Sequence, residues 1–133
     1  MEIPQIDKST CIYYHWEKVA KRILSYLMNT EKNPKAWIFL EPLNPYELGI
    51  NDYFDIITHP MDFGTIKEKL NNHGYLSMQA FLQDIELVFS NCLLYNGELS
   101  QVSQMCRDVQ EEYNKQCELL NVGFYITEGQ GLE

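Results

Sequence analysis

At 133 residues the chain is long enough for one domain with a sizeable core. Its composition, 45% apolar and 13% aromatic, excludes a disordered chain, and no apolar run nears the ~20 residues that span a bilayer. A net charge of −9 disfavours phosphate-rich partners, so direct contact with nucleic acid or an anionic membrane is not expected, while a basic peptide would be drawn in.

Met1 to Asp7 has neither the basic start nor the apolar stretch of a signal peptide, and residues 1–8 read as a flank. The first helix is expected to begin at Ser9 or Thr10, either of which can cap it. Ile12, Trp16, Val19, Ile23 and Leu27 recur at three- and four-residue steps, with Ala20 and Leu24 widening the stripe. This helix should end near Asn29, before Asn33-Pro34. From Thr30 to Pro60 no helical period is sustained, and Pro34, Pro42, Pro45, Gly49 and Pro60 punctuate the stretch. Loops of this length in a small domain are often functional. This one is rich in large apolar side chains and so must pack on the helices, with a short helical turn expected between Asp52 and Ile57.

Asp62 is a good N-cap for a second helix, which carries Ile66 and Leu70 inward and stops near Asn72-His73-Gly74. Ser77 caps a third, with Met78, Phe81, Leu82, Ile85, Val88, Phe89 and Cys92 on one stripe and Asn96-Gly97 at its end. Ser100 opens a fourth, carrying Val102, Met105, Val109, Tyr113 and Cys117 or Leu120. Asn121-Val122-Gly123 should close it, leaving residues 123–133 as a loosely held tail. Four amphipathic helices with one long first crossover predict an all-α four-helix bundle over residues 9–122.

The four cysteines, Cys11, Cys92, Cys106 and Cys117, form no C-x-x-C pair, and three lie in apolar stripes, which reads as free thiols in a reducing compartment. Catalytic pairs are poorly supported. Cys11 and His15 share helical i,i+4 spacing, and Cys92 has His59 or His73 to draw on, but no orienting carboxylate or third ligand is placed with either. Nucleotide-loop and zinc-protease motifs are absent. The chain is therefore not expected to be an enzyme, and it calls for no cofactor or metal.

The most informative stretch is Val88-Phe89-Ser90-Asn91-Cys92-Leu93-Leu94-Tyr95-Asn96, the last turns of an apolar helix that delivers Tyr95 and Asn96 to its end. The Asn96 amide offers two N–H donors and one acceptor beside an aromatic ring and a thiol. Such a group can hold a neutral amide in an apolar pocket but has no charge to compensate an ammonium. Taken locally, Asn before Gly also suits a helix C-cap.

A second block carries Trp37-Ile38-Phe39-Leu40-Glu41-Pro42, Asp52-Tyr53-Phe54-Asp55-Ile56-Ile57 and His59-Pro60-Met61-Asp62-Phe63-Gly64-Thr65-Ile66. Together with the Asn96 stretch, in this order, it resembles a bromodomain from about Val19 to Leu120. The resemblance implies a left-handed bundle whose pocket lies at one end, between the long loop and the connection at residues 97–99. It implies that Asn96 bonds the oxygen of an acetylated lysine and that Tyr53 holds a water reaching the same oxygen. Trp37, Ile38 and Phe39 match an aromatic shelf, with Ile38 replacing the usual proline. Leu43, Leu48 and Ile50 match loop residues that line the pocket. Cys92 and Tyr95 match its third-helix wall, and Val102 matches the position that narrows its mouth. Further departures are Asn51, where the family usually has proline, and Gly97-Glu98-Leu99 after the key asparagine. The implied partners are acetylated histone tails or other acetylated proteins, the implied place is the nucleus, and the isolated domain is expected to be a monomer excerpted from a larger protein. The competing expectation is a helical adaptor that uses the same apolar loop without needing Asn96 or acetylation.

Overall fold

Three short polar side chains start three of the long helices. In the computed structural model, which describes the backbone of residues 2–131 and the side chains of residues 15–126, Asp62, Ser77 and Ser100 all cap as expected. Asp62 accepts from the Thr65 N–H at 2.9 Å and the Thr65 hydroxyl at 2.6 Å, Ser77 from the Ala80 N–H at 3.1 Å, and Ser100 from the Ser103 N–H at 3.0 Å. Each bond from a backbone N–H satisfies a donor that the helix leaves without a partner.

The elements run in order as α1 (Glu2–Met28), a 3₁₀ segment (Pro34–Phe39), α2 (Pro45–Leu48), α3 (Tyr53–Ile56), α4 (Phe63–Asn71), α5 (Met78–Asn96), α6 (Gln101–Leu119) and α7 (Val122–Gly131). No strand occurs among the described residues. The long helices α1, α4, α5 and α6 form the bundle: α5 packs on α4 and α6, and α1 on α4 and α6. Helix α1 starts upstream of the expected caps at Ser9 and Thr10, with Pro4 in its first turn, where a missing N–H breaks no helical bond. Cys11 and Ile12 lie outside the described side chains, so neither the Cys11–His15 pair nor the start of the stripe is seen.

The core stripe otherwise follows the periodicity. Ile23, Leu27, Phe63, Ile66, Leu70, Phe81, Ile85, Phe89 and Val109 are all but inaccessible. Phe39, Phe63 and Phe89 form an aromatic triangle with centroids 5.6, 6.0 and 6.1 Å apart, and Tyr113 closes on Phe89 at 5.6 Å. Edge-on contacts of this kind add to the burial of the rings. The triangle joins the loop, through Phe39, to α4 and α5. Gly64 brings loop and helix together a second time, since a Cβ there would lie 2.5 Å from the Leu40 carbonyl oxygen.

Two expectations are corrected. The inner face of α6 is Ser103, Cys106, Val109 and Tyr113, not the face led by Val102 and Met105. The Ser103 hydroxyl donates to the Gly97 carbonyl at 2.5 Å, which turns the first inward position to a polar task and leaves Val102 facing out. Within the stretch expected to be a loose tail, the chain is helical as far as Gly131: α7 follows a turn at Asn121, whose φ is 53°. Val122 is buried, Tyr125 and Ile126 pack on the core, and Tyr125 meets the His15 ring at 5.7 Å. The i, i+3, i+4 spacing of Val122, Tyr125 and Ile126 was legible, but Gly123 masked it.

Candidate functional site

The long loop is better built than its prolines suggest. Asn44 caps α2 by accepting from the N–H groups of Tyr46 and Glu47 at 3.1 and 3.3 Å, and Gly49, at φ 71°, ends it. A Tyr53 N–H to Ile50 bond at 3.2 Å and an Ile57 N–H to Tyr53 bond at 2.8 Å frame α3, the short turn expected there. Distant polar contacts then fasten the loop. Asn33, buried, donates to the Leu27 carbonyl at 3.3 Å, and Lys35 pairs with Asp108 of α6. Asn91, inside α5, donates to the His59 carbonyl at 2.9 Å.

These fastenings bring α3 against the end of α5. The Tyr53 and Tyr95 rings lie 4.9 Å apart, and the Tyr95 hydroxyl donates to Asp52 at 2.6 Å. Tyr53 is only 8% exposed. Burial pushes its phenol above the ordinary value, with the nearby Cys92 sulfur adding to the effect, so it stays neutral. Tyr95 is also raised, chiefly because its hydroxyl serves the Asp52 carboxylate.

Asn96 ends α5 and is half-buried. Its amide nitrogen donates to the Cys92 carbonyl at 2.9 Å and lies 3.6 Å from the Cys92 sulfur. The side chain thus folds back one turn along its own helix, which fixes its orientation. Gly97, at φ 81°, then takes the chain away from the helix axis. The Cys92 thiol in turn lies 3.9 Å from the Val102 carbonyl on α6. It is held below the ordinary thiol value, first by contact with the Cys106 thiol, while burial opposes and Asn96 assists. Cys106 is pushed up by the same contact and by its burial.

Asn96, Cys92, Tyr95 and Tyr53 therefore form one cluster, with the start of α6 beside it. The remaining residues singled out from the sequence fall in three groups. Phe39 belongs to the core triangle. Ile38 and Ile50 are half-buried. Trp37 (64% exposed), Leu48 (62%), Leu43 and Val102 present apolar surface to solvent. Sequence reasoning missed Asp52 and Asn91, which act on segments far along the chain, and Ser103, which bonds the Gly97 carbonyl six residues before it; none leaves a periodic signal. Among the described residues no group of three or more His, Cys, Asp or Glu side chains is placed to hold a metal ion.

The bromodomain family model matches residues 20–108, from the inner half of α1 through the aromatic triangle and Asn96 into α6. The chain belongs to the bromodomain family. A bromodomain-containing protein of Schizosaccharomyces pombe is 37% identical over 98 residues, covering 74% of this chain and 14% of its own length. A second, from Dictyostelium discoideum, is 41% identical over 97 residues, covering 73% of this chain and 6% of its own. An ankyrin repeat, bromo and BTB domain-containing protein of the same organism is 48% identical over 71 residues, 53% of this chain and 9% of its own length. The chain thus spans only a small part of these relatives. The second bromodomain of Candida albicans Bdf1, solved bound to an imidazopyridine, superposes with a TM-score of 0.72 at 32% identity, covering 75% of this chain and 94% of that one. The bundle is accordingly the left-handed four-helix bundle of bromodomains. Membership supports an acetyl-lysine reader module, since bromodomains are binding modules.

Proposed function

We propose that this domain binds acetyl-lysine at the end of the bundle where α5, α6 and the long loop meet, with the Asn96 amide donating to the acetyl oxygen. The observation that carries the reading is the Asn96 cluster: a half-buried amide, aligned by its own helix, beside the Cys92 thiol and the Tyr53–Tyr95 ring pair. A lysine ammonium has no compensating charge there, since the nearby Asp52 carboxylate is exposed and bonded to Tyr95. Burying that ammonium unpaired is prohibitive, whereas a neutral acetyl amide keeps its stem among apolar groups and meets one donor. Tyr53 holds a water that reaches the same oxygen, an arrangement close to a direct bond in enthalpy. Cys92, Tyr95 and Val102 form the helical wall. Ile38, Ile50, Leu43, Leu48 and Trp37 form the loop wall and rim, with Phe39 beneath them.

The partner is a basic acetylated tail, such as a histone tail, and the setting is nuclear chromatin, where the domain recruits its parent protein. Residues 41–59 carry Glu41, Glu47, Asp52 and Asp55 and no lysine or arginine, and all four carboxylate side chains are exposed. With Glu98 across the mouth they attract a cationic peptide whose one acetylated lysine enters the pocket. Affinity for a single acetyl group is in the micromolar range or weaker, because the buried ligand is small.

Titration calorimetry of paired histone-tail peptides, acetylated and unmodified, tests this. Heat from the acetylated member alone supports the reading. Equal binding of both members removes it and leaves an apolar-loop adaptor. Tyr53→Phe is expected to weaken acetyl-dependent binding several-fold, and an unchanged affinity removes the water-holding role.

A further inference from the structure

Cys92 and Cys106 reach across the α5–α6 interface toward each other's helix. The Cys106 thiol, fully buried, lies 3.6 Å from the carbonyl of Phe89, three residues before Cys92. The Cys92 thiol lies 3.9 Å from the carbonyl of Val102, four residues before Cys106. This reciprocal crossing sets each sulfur against the partner's helix about one turn from the other cysteine, and both cysteines are free. Of the two, Cys92 alone is partly open to solvent, and it faces Asn96 at 3.6 Å.

We propose that Cys92 and Cys106 are a peroxide-sensitive dithiol that closes to a disulfide across α5 and α6, directly beside Asn96. Cys92 is the attacking thiol: it is the accessible one, and the Asn96 amide donates to its sulfur at 3.6 Å, a contact that favours the thiolate. Its sulfur forms an S–O bond with hydrogen peroxide while the O–O bond breaks, and hydroxide leaves to become water. The Cys106 sulfur then attacks the Cys92 sulfenic acid. The S–S bond forms, the S–OH bond breaks, and the proton of Cys106 departs with the hydroxyl as a second water. Two thiols have lost two electrons and one peroxide has become two waters.

A disulfide is about 2.05 Å long, much shorter than a thiol hydrogen bond, so the Cys92 sulfur must leave its place near Asn96 and Val102. The regulatory consequence rests on the acetyl-lysine reading of Asn96: the oxidised domain is expected to bind an acetylated peptide about tenfold more weakly, the scale of one impaired hydrogen bond.

The test is treatment of the whole chain with equimolar hydrogen peroxide, alkylation of remaining thiols, and mass analysis after glutamate-specific cleavage, which cuts at Glu98 between the two cysteines. A Cys92–Cys106 linked peptide two hydrogens lighter, reversed by dithiothreitol, is expected. Cys106→Ala is expected to stop at a dimedone-trappable Cys92 sulfenic acid. Alkylation of both cysteines as in the untreated protein, or oxidation that falls first on Cys117, overturns the proposal. Titrating acetylated peptide into the reduced and oxidised samples separates the two claims. A reduced protein that does not bind defeats the Asn96 reading whether or not the link forms. A reduced protein that binds but never cross-links defeats the dithiol alone.

Discussion

The helical wall of the proposed site, Cys92, Tyr95 and Asn96, is an extension of the core stripe of α5, while its proposed loop wall, Trp37, Leu43 and Leu48, stands largely in solvent. One is positioned by the aromatic triangle, by a helix that runs unbroken from Met78 to Asn96, and by an amide folded onto its own backbone. The other is fastened at intervals, by Asn33, Lys35, Phe39 and the Asp52–Tyr95 bond, with apolar side chains exposed between the fastenings. A wall of the first kind enforces one geometry and suits recognition of an invariant group. A wall of the second kind tolerates variation and suits the residues around that group. Ile38, in place of a proline, fits this division because it leaves the shelf apolar without fixing its backbone.

Substitutions sharpen the contrast. Phe89→Ala removes a buried ring that touches Phe39, Phe63 and Tyr113 together, and is expected to cost about 3–5 kcal/mol and lower the melting temperature accordingly. A small shift would mean that the triangle does not join loop to bundle. Tyr75→Phe acts at the α4–α5 connection, where the Tyr75 hydroxyl donates to Asp84 at 2.6 Å, and is expected to cost about 1 kcal/mol. Burial, then the bond to Asp84, raises this phenol above its ordinary value of 10.0. Its contribution is therefore complete below pH 10 and is lost as pH rises past that point, when the unfolded chain ionises and the folded one does not. Melting curves from pH 8 upward should fall less steeply for the variant, and parallel curves would contradict the assignment. Leu48→Ser, on the exposed wall, is expected to change stability by no more than about 0.5 kcal/mol by denaturant titration. A larger loss would show that this wall also packs as core.

What was legible in the sequence follows the range of the interaction. The caps at Asp62, Ser77 and Ser100 and the stripe of α5 are encoded within a few residues, and they fall where the local pattern puts them. The Asn44 cap of α2 is just as local, but dense prolines hid it. Gly123 hid α7 in the same way, because its single break outweighed an apolar triplet that packs on the rest of the domain. Asn96, Tyr95 and Cys92 stand out because they share a helix end. The Tyr95–Asp52 bond, the Asn91–His59 bond and the Cys92–Cys106 contact join distant segments, and no periodicity reports them. The inward turn of Ser103, which displaced Val102 from the core face, likewise depends on the Gly97 carbonyl and not on apolar spacing.

The central claim is that one oriented amide reads the acetyl group. Its most direct test is Asn96→Ala, titrated with an acetylated histone-tail peptide and melted in parallel with the unaltered domain. Loss of acetyl-dependent heat with a melting temperature close to that of the unaltered domain is the expected result. Full acetyl-dependent affinity in the folded variant would contradict the account.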